Sequence, residues 1–129
     1  MTFAITAFYT GLLALLLLIL SALVIRERGR ARVSLGDGGD DRLNRAIRAQ
    51  ANFAEYVPMS LLLIAMTEGL GAPALAVHAL GLCLLVGRVM HAIGLMTPIL
   101  PGRMRAWGTA ATFVVLLAGS LGLIAHTMF

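Results

Sequence analysis

Residues 1–25, MTFAITAFYTGLLALLLLILSALVI, contain no charged side chain. A membrane span needs roughly 20 apolar residues, so this run is long enough to cross a bilayer. No basic residue precedes it, and it is longer than the apolar core of a signal peptide, usually about 7–15 residues. It therefore reads as a first helix from Phe3 to about Arg26 and not as a cleaved leader. The rest of the chain has the same character. Of 129 residues, 60% are hydrophobic and 12% charged. Soluble domains run at about 45–50% and 25%, which argues against a soluble globular enzyme. The length suits one domain, residues 1–129, of four helices of about 20 residues each.

The remaining helices follow from punctuation. After Arg26 comes a polar stretch ending in Gly36-Asp37-Gly38-Gly39-Asp40-Asp41, a turn signal in which Asp40 or Asp41 suits a helix N-cap. The second helix is expected from about Arg42 to Glu68. Pro58 lies inside it and predicts a kink and not a break, since membrane helices tolerate proline. Gly69, Gly71 and Pro73 mark a turn. The third helix is expected from about Ala74 to Leu95. Thr97-Pro98 and Pro101-Gly102 form the last turn, and the fourth helix runs from about Arg103 to Thr127. Short connections make successive helices antiparallel neighbours, so the expected fold is an all-α, four-transmembrane-helix antiparallel bundle.

All ten basic residues are arginines, and the net charge is +4. They sit at the ends of apolar segments, which points to membrane topology and away from nucleic acid. The first connection and its flanks hold seven of them and the third holds Arg103 and Arg105, while the second has only Glu68. The positive-inside rule then puts the first and third loops in the cytoplasm and both termini outside. Cys83 is the one cysteine and reads as an inert core thiol. His78 and His126 read as interfacial, and the scattered histidines argue against a metal site.

Charge within a membrane helix is costly and is usually retained for function. In the second helix Arg45, Arg48, Asn52 and Glu55 are spaced by three, four and three, which places them on one stripe. Arg88 and His91 lie one turn apart on the third helix, in the half nearer the same loops. Arg103 and Arg105 open the fourth helix on that side. An arginine-rich group with one carboxylate and one amide suits a small polar anion, because guanidinium binds carboxylate by paired hydrogen bonds. The inventory fits a ligand with two carboxylates and an amine, of which glutathione is one example. The same residues also allow a plain alternative, in which Glu55 only neutralises Arg48 or Arg88 and His91 is a packing residue.

The stretch Arg48-Ala-Gln-Ala-Asn52-Phe-Ala-Glu55-Tyr56-Val-Pro58 resembles the signature of the MAPEG family, the membrane-associated proteins in eicosanoid and glutathione metabolism. The four apolar helices, the basic first loop and Gly87-Arg88 with His91 resemble the family as well. The short length and GDGG loop look most like a bacterial inner-membrane branch. The resemblance implies a homotrimer with glutathione bound between subunits near the cytoplasmic side. It implies Arg48, Asn52, Glu55 and Tyr56 as glutathione contacts, joined by Gln50, Arg88, His91 and an arginine near Arg28 or Arg30. It also implies that Arg103, or else Arg105, stabilises the glutathione thiolate. A fixed cation beside a thiol favours the thiolate, which is the nucleophile.

Two departures bear on activity. Leu95 stands where relatives often carry a tyrosine late in the third helix, and Trp107 near the start of the fourth. The implied function is a glutathione transferase or peroxidase for a lipophilic small molecule drawn from membrane lipid. The alternative is a non-catalytic binding or scaffold protein of the same fold. A small multidrug exporter would need a carboxylate within the first helix, and the span to Arg26 has none.

Overall fold

The computed structural model describes residues 2–97 and 102–128. It contains four helices: α1 (Ala4–Ala31), α2 (Asp41–Gly69), α3 (Ala74–Met96) and α4 (Arg103–Met128). Each expected helix is present. Pro98 and Pro101, expected in the last turn, lie outside the described residues.

The main boundary difference is in α1, which continues past Arg26 to Ala31. Arginine is a good helix former, and Arg28 and Arg30 in the last turn complement the negative end of the helix dipole. The charges end the apolar run without ending the helix. The expectation of a first helix without a carboxylate is thereby corrected, because α1 includes Glu27, only 2% exposed. Glu27 follows the uncharged segment and pairs with arginines, so it is not an isolated acid at mid-membrane.

The start of α2 is capped by Asp40, whose carboxylate accepts from the Leu43 N–H at 2.9 Å. Arg30 donates to the same carboxylate at 2.6 Å, tying the end of α1 to the start of α2. The Arg30 guanidinium, then the Leu43 N–H, holds the Asp40 carboxyl below its ordinary value. Pro58 sits within α2, which continues unbroken on both sides.

The start of α1 has no side-chain cap of its own. Glu68, from the far end of α2, supplies one. Its carboxylate accepts from the Ile5 N–H at 3.0 Å and the Thr6 N–H at 2.8 Å. Unpaired N–H groups at a helix start are costly away from water, and carboxylates suit the positive end of the dipole. Glu68→Ala is expected to lower stability by about 0.5–2 kcal/mol, the usual range for a lost cap. Thermal unfolding in detergent checks this, and an unchanged melting temperature would contradict it.

Cross-helix bonds set the directions. Gln50 reaches Ser21 while Glu68 reaches the start of α1, so α1 and α2 are antiparallel. Arg45 bonds the Leu95 carbonyl and Arg88 bonds Asn52, so α2 and α3 are antiparallel. The α3–α4 approaches Gly87–Gly108 and Gly94–Arg105 are antiparallel too. Helices α2 and α3 form the centre, and each touches both α1 and α4. Among the described residues, α1 and α4 do not pack on each other. The core between them holds Leu13, Leu20, Phe53, Val57, Ile64, Val77, Leu84 and Val115.

Three helices, α1, α3 and α4, are long and apolar enough to cross a membrane. α2 has comparable length, 29 residues, but its polar stripe lowers its apolar character. Large apolar side chains such as Leu18, Phe113 and Leu117 point outward, as lipid-facing residues do.

Candidate functional site

The site is organised around Arg88. This side chain is only 2% exposed, in the middle of α3. Its Nη1 donates to Asn52 Oδ1 at 2.6 Å, and its Nη2 donates to the Gly108 carbonyl at 3.2 Å. The guanidinium carbon lies 5.9 Å from the centre of the Tyr56 ring, within cation–π range. Tyr56 packs in turn on Phe113, with ring centres 5.7 Å apart. The Nε of Arg88 is buried and has no partner. Among the described residues, no carboxylate pairs with this cation. Burying an unpaired charge is expensive, so the arrangement is stable only because neutral acceptors and an aromatic face surround it.

The reach from α3 to α4 depends on glycine. A Cβ on Gly108 would sit 2.5 Å from the Gly87 carbonyl oxygen and 2.6 Å from the His91 nitrogen. The two backbones touch there, which brings the Gly108 carbonyl to Arg88. Thr112 donates to the same carbonyl at 3.1 Å. His91, one turn beyond Arg88, is also buried, at 6% exposure, and makes no side-chain hydrogen bond among the described residues.

The rest of the α2 stripe faces outward. Arg48 and Glu55 are exposed, and Asn52 and Tyr56 are half-buried. The ion pair allowed by sequence does not form: among the described residues Glu55 pairs with neither Arg48 nor Arg88. Arg48 and Glu55 are two turns apart, about 10 Å along the axis, too far to meet. Arg88 takes the amide of Asn52 in place of the acid. Arg48 and Glu55 thus flank Asn52 as exposed charges without an ion-pair partner among the described residues, and the exposed row continues with Met59, Leu62 and Met66 toward the other end of α2.

Other expected contacts lie elsewhere in this chain. Gln50 faces α1 and donates to Ser21 at 2.8 Å, because two helical residues from Arg48 is the opposite side. Arg28 donates to the Gly36 carbonyl at 2.8 Å and braces the first loop. Arg103 and Arg105 are both exposed at the start of α4. The backbone of Arg105 lies against Gly94, so that residue opens α4 directly beside the His91 end of α3.

Three contributors were not foreseen from the sequence: Gly108, Glu27 and Glu68. A spacing of small residues in α3 and α4 was the only signal for Gly108. Glu27 had one signal, its spacing of three from Arg30. For Glu68 nothing local announced a bond to a helix more than sixty residues away.

The chain is 41% identical over 113 residues to the inner membrane protein YecN of Escherichia coli strain K12, covering 88% of this chain and 85% of that protein. The YecN of Escherichia coli O6:H1 matches to the same extent. With three apolar spans, this chain is an integral protein of the inner membrane, like these relatives. Residues 6–125, nearly its whole length, match one family, and the chain belongs to the MAPEG family.

Proposed function

We propose that this protein binds glutathione within the membrane and acts as a glutathione transferase or peroxidase on lipophilic electrophiles. The observation that carries the proposal is Arg88: a buried cation that pairs with no carboxylate among the described residues and is held by Asn52 beside Tyr56, both on the α2 stretch that resembles the MAPEG signature. Arg48 and Glu55 complete the inventory from the exposed side of α2. Arg48 suits a ligand carboxylate and Glu55 a ligand ammonium. His91 adds ring nitrogens that can donate or accept a hydrogen bond. Arg28 and Gln50 would contribute from a neighbouring subunit, or not at all, given their partners within this one.

The exposed row also supports self-association. A charged side chain facing lipid costs about 2.5–3.5 kcal/mol by insertion scales. A second copy over Arg48 and Glu55 removes that exposure. The homotrimer implied by the family is the assembly we propose, with α2 crossing the membrane as the fourth span and the arginine-rich loops cytoplasmic.

In the proposed reaction the glutathione thiol loses its proton to water, and Arg103 or Arg105 stabilises the thiolate. The sulfur lone pair attacks an electrophilic carbon delivered from the bilayer. A C–S bond forms, and the leaving group departs with its electron pair. Arg103→Ala and Arg105→Ala, assayed with glutathione and an aryl halide, are expected to show at least a tenfold loss of turnover in one of the two. A fall of that size equals about 1.4 kcal/mol of transition-state stabilisation. Undiminished turnover in both would remove the arginines from the mechanism.

A second reading, a non-catalytic binder, is favoured by one observation. Leu95, in the core, and Trp107, exposed, carry no hydroxyl where relatives often have a tyrosine. Saturable binding without turnover over a broad panel of electrophiles would establish it.

A further inference from the structure

Away from Arg88, an arginine-lined cavity of about 310 Å³ lies where the end of α1, the start of α2 and the end of α3 meet. Arg26, Arg42 and Arg45 line it with Glu27, Asp41 and Met96. Arg88, Asn52 and Tyr56 form no part of it. Its organising group is Glu27, nearly fully buried. Glu27 accepts from Arg26 at 3.1 Å and Arg30 at 2.5 Å, and lies 3.6 Å from Arg42. Arg45 is held by Asp41 at 2.7 Å and by the Leu95 carbonyl at 3.4 Å. The acids thus fix the arginines without cancelling them: three cations and two anions line the space, a net charge of +1. Each guanidinium has five N–H donors, more than these partners use.

The cavity is also placed at a boundary. Arg26 directly follows the uncharged run of α1, and Met96 is the last residue of α3. Met96 is its one apolar lining residue, and Arg26, Arg42 and Arg45 make the lining predominantly cationic. We propose that this cavity binds a phosphate ester, with the phosphate of a membrane phospholipid as the source its position favours. Arg26 and Arg42 grip the phosphate oxygens, arginine being the side chain best matched to that geometry. Met96 meets the start of the acyl region. Glu27 is a positioning residue that holds the guanidiniums of two helices around the ligand.

The test is native mass spectrometry of the detergent-purified protein exchanged into phosphatidylglycerol, with a parallel titration of inorganic phosphate. The double variant Arg26→Ala/Arg42→Ala removes the rim, and Arg42→Ala alone serves if the double variant does not fold. Arg32→Gly is the control for charge, since Arg32 lies outside the cavity and its backbone is left-handed, with φ 55°, which glycine adopts freely. The expected result is lipid binding at least tenfold weaker in the rim variant and unchanged in Arg32→Gly. Displacement of the lipid by inorganic phosphate would retain the phosphate site and reassign its source to a soluble ester. Equal lipid binding in the rim variant and wild type would overturn the proposal. So would displacement of the lipid by glutathione, which would give the cavity to the peptide.

Discussion

Gly108→Ala is expected to be among the most disruptive single-methyl changes in this protein. The added carbon would lie 2.5 Å from the Gly87 carbonyl and 2.6 Å from the His91 nitrogen. Both are backbone atoms of α3, so no side chain can swing away. The helices must separate, and the Gly108 carbonyl moves away from Arg88. Overpacking costs typically about 1–3 kcal/mol, and a backbone clash belongs at the upper end. Thermal unfolding should show a clear fall in melting temperature together with weaker glutathione binding. Gly11→Ala is the matched control. Nothing lies within 4 Å of its new carbon, and alanine in a helix interior gains about 0.5–1 kcal/mol over glycine. Equal effects of the two substitutions would show that the α3–α4 contact does not position the site.

Arg88→Met is expected to separate function from stability. Methionine approximates the length of the arginine stem and removes the buried charge. Replacing buried charge by well-packed apolar groups is often neutral or stabilising, and among the described residues this charge has no acid to offset its desolvation. Folding should therefore survive with the melting temperature held or raised. Glutathione affinity should fall roughly tenfold to hundredfold, since hydrogen bonds to a charged group contribute about 1.5–3 kcal/mol. A variant that fails to fold, with Asn52 intact, would make Arg88 a structural element and weaken the functional assignment.

The helices were legible because an uncharged run and its flanking arginines mark a membrane span by composition alone. The arginine-bearing end of α1 runs to Ala31, beyond its apolar run, because loss of hydrophobicity does not end a helix of good helix formers. The stripe of Arg45, Arg48, Asn52 and Glu55 was legible as a face, since three- and four-residue spacing fixes azimuth. Its partner was not. Whether Arg88 meets Glu55 or Asn52 depends on the register of α3 against α2, and no local spacing encodes that register. Gly108 and Glu68 were hidden for the same reason: each matters through what lies opposite it on another helix. Gln50 was assigned by resemblance, and helix geometry turns it toward Ser21 in this subunit.

The most direct test is calorimetric titration of glutathione into the detergent-purified protein, alongside Arg48→Ala. Arg48 is exposed in the subunit and has no ion-pair partner among the described residues, so its removal should leave the subunit's fold intact. The expected result is saturable binding by the wild type that is lost in the variant. No binding by the folded wild type, or equal binding by both, would contradict a glutathione site on α2.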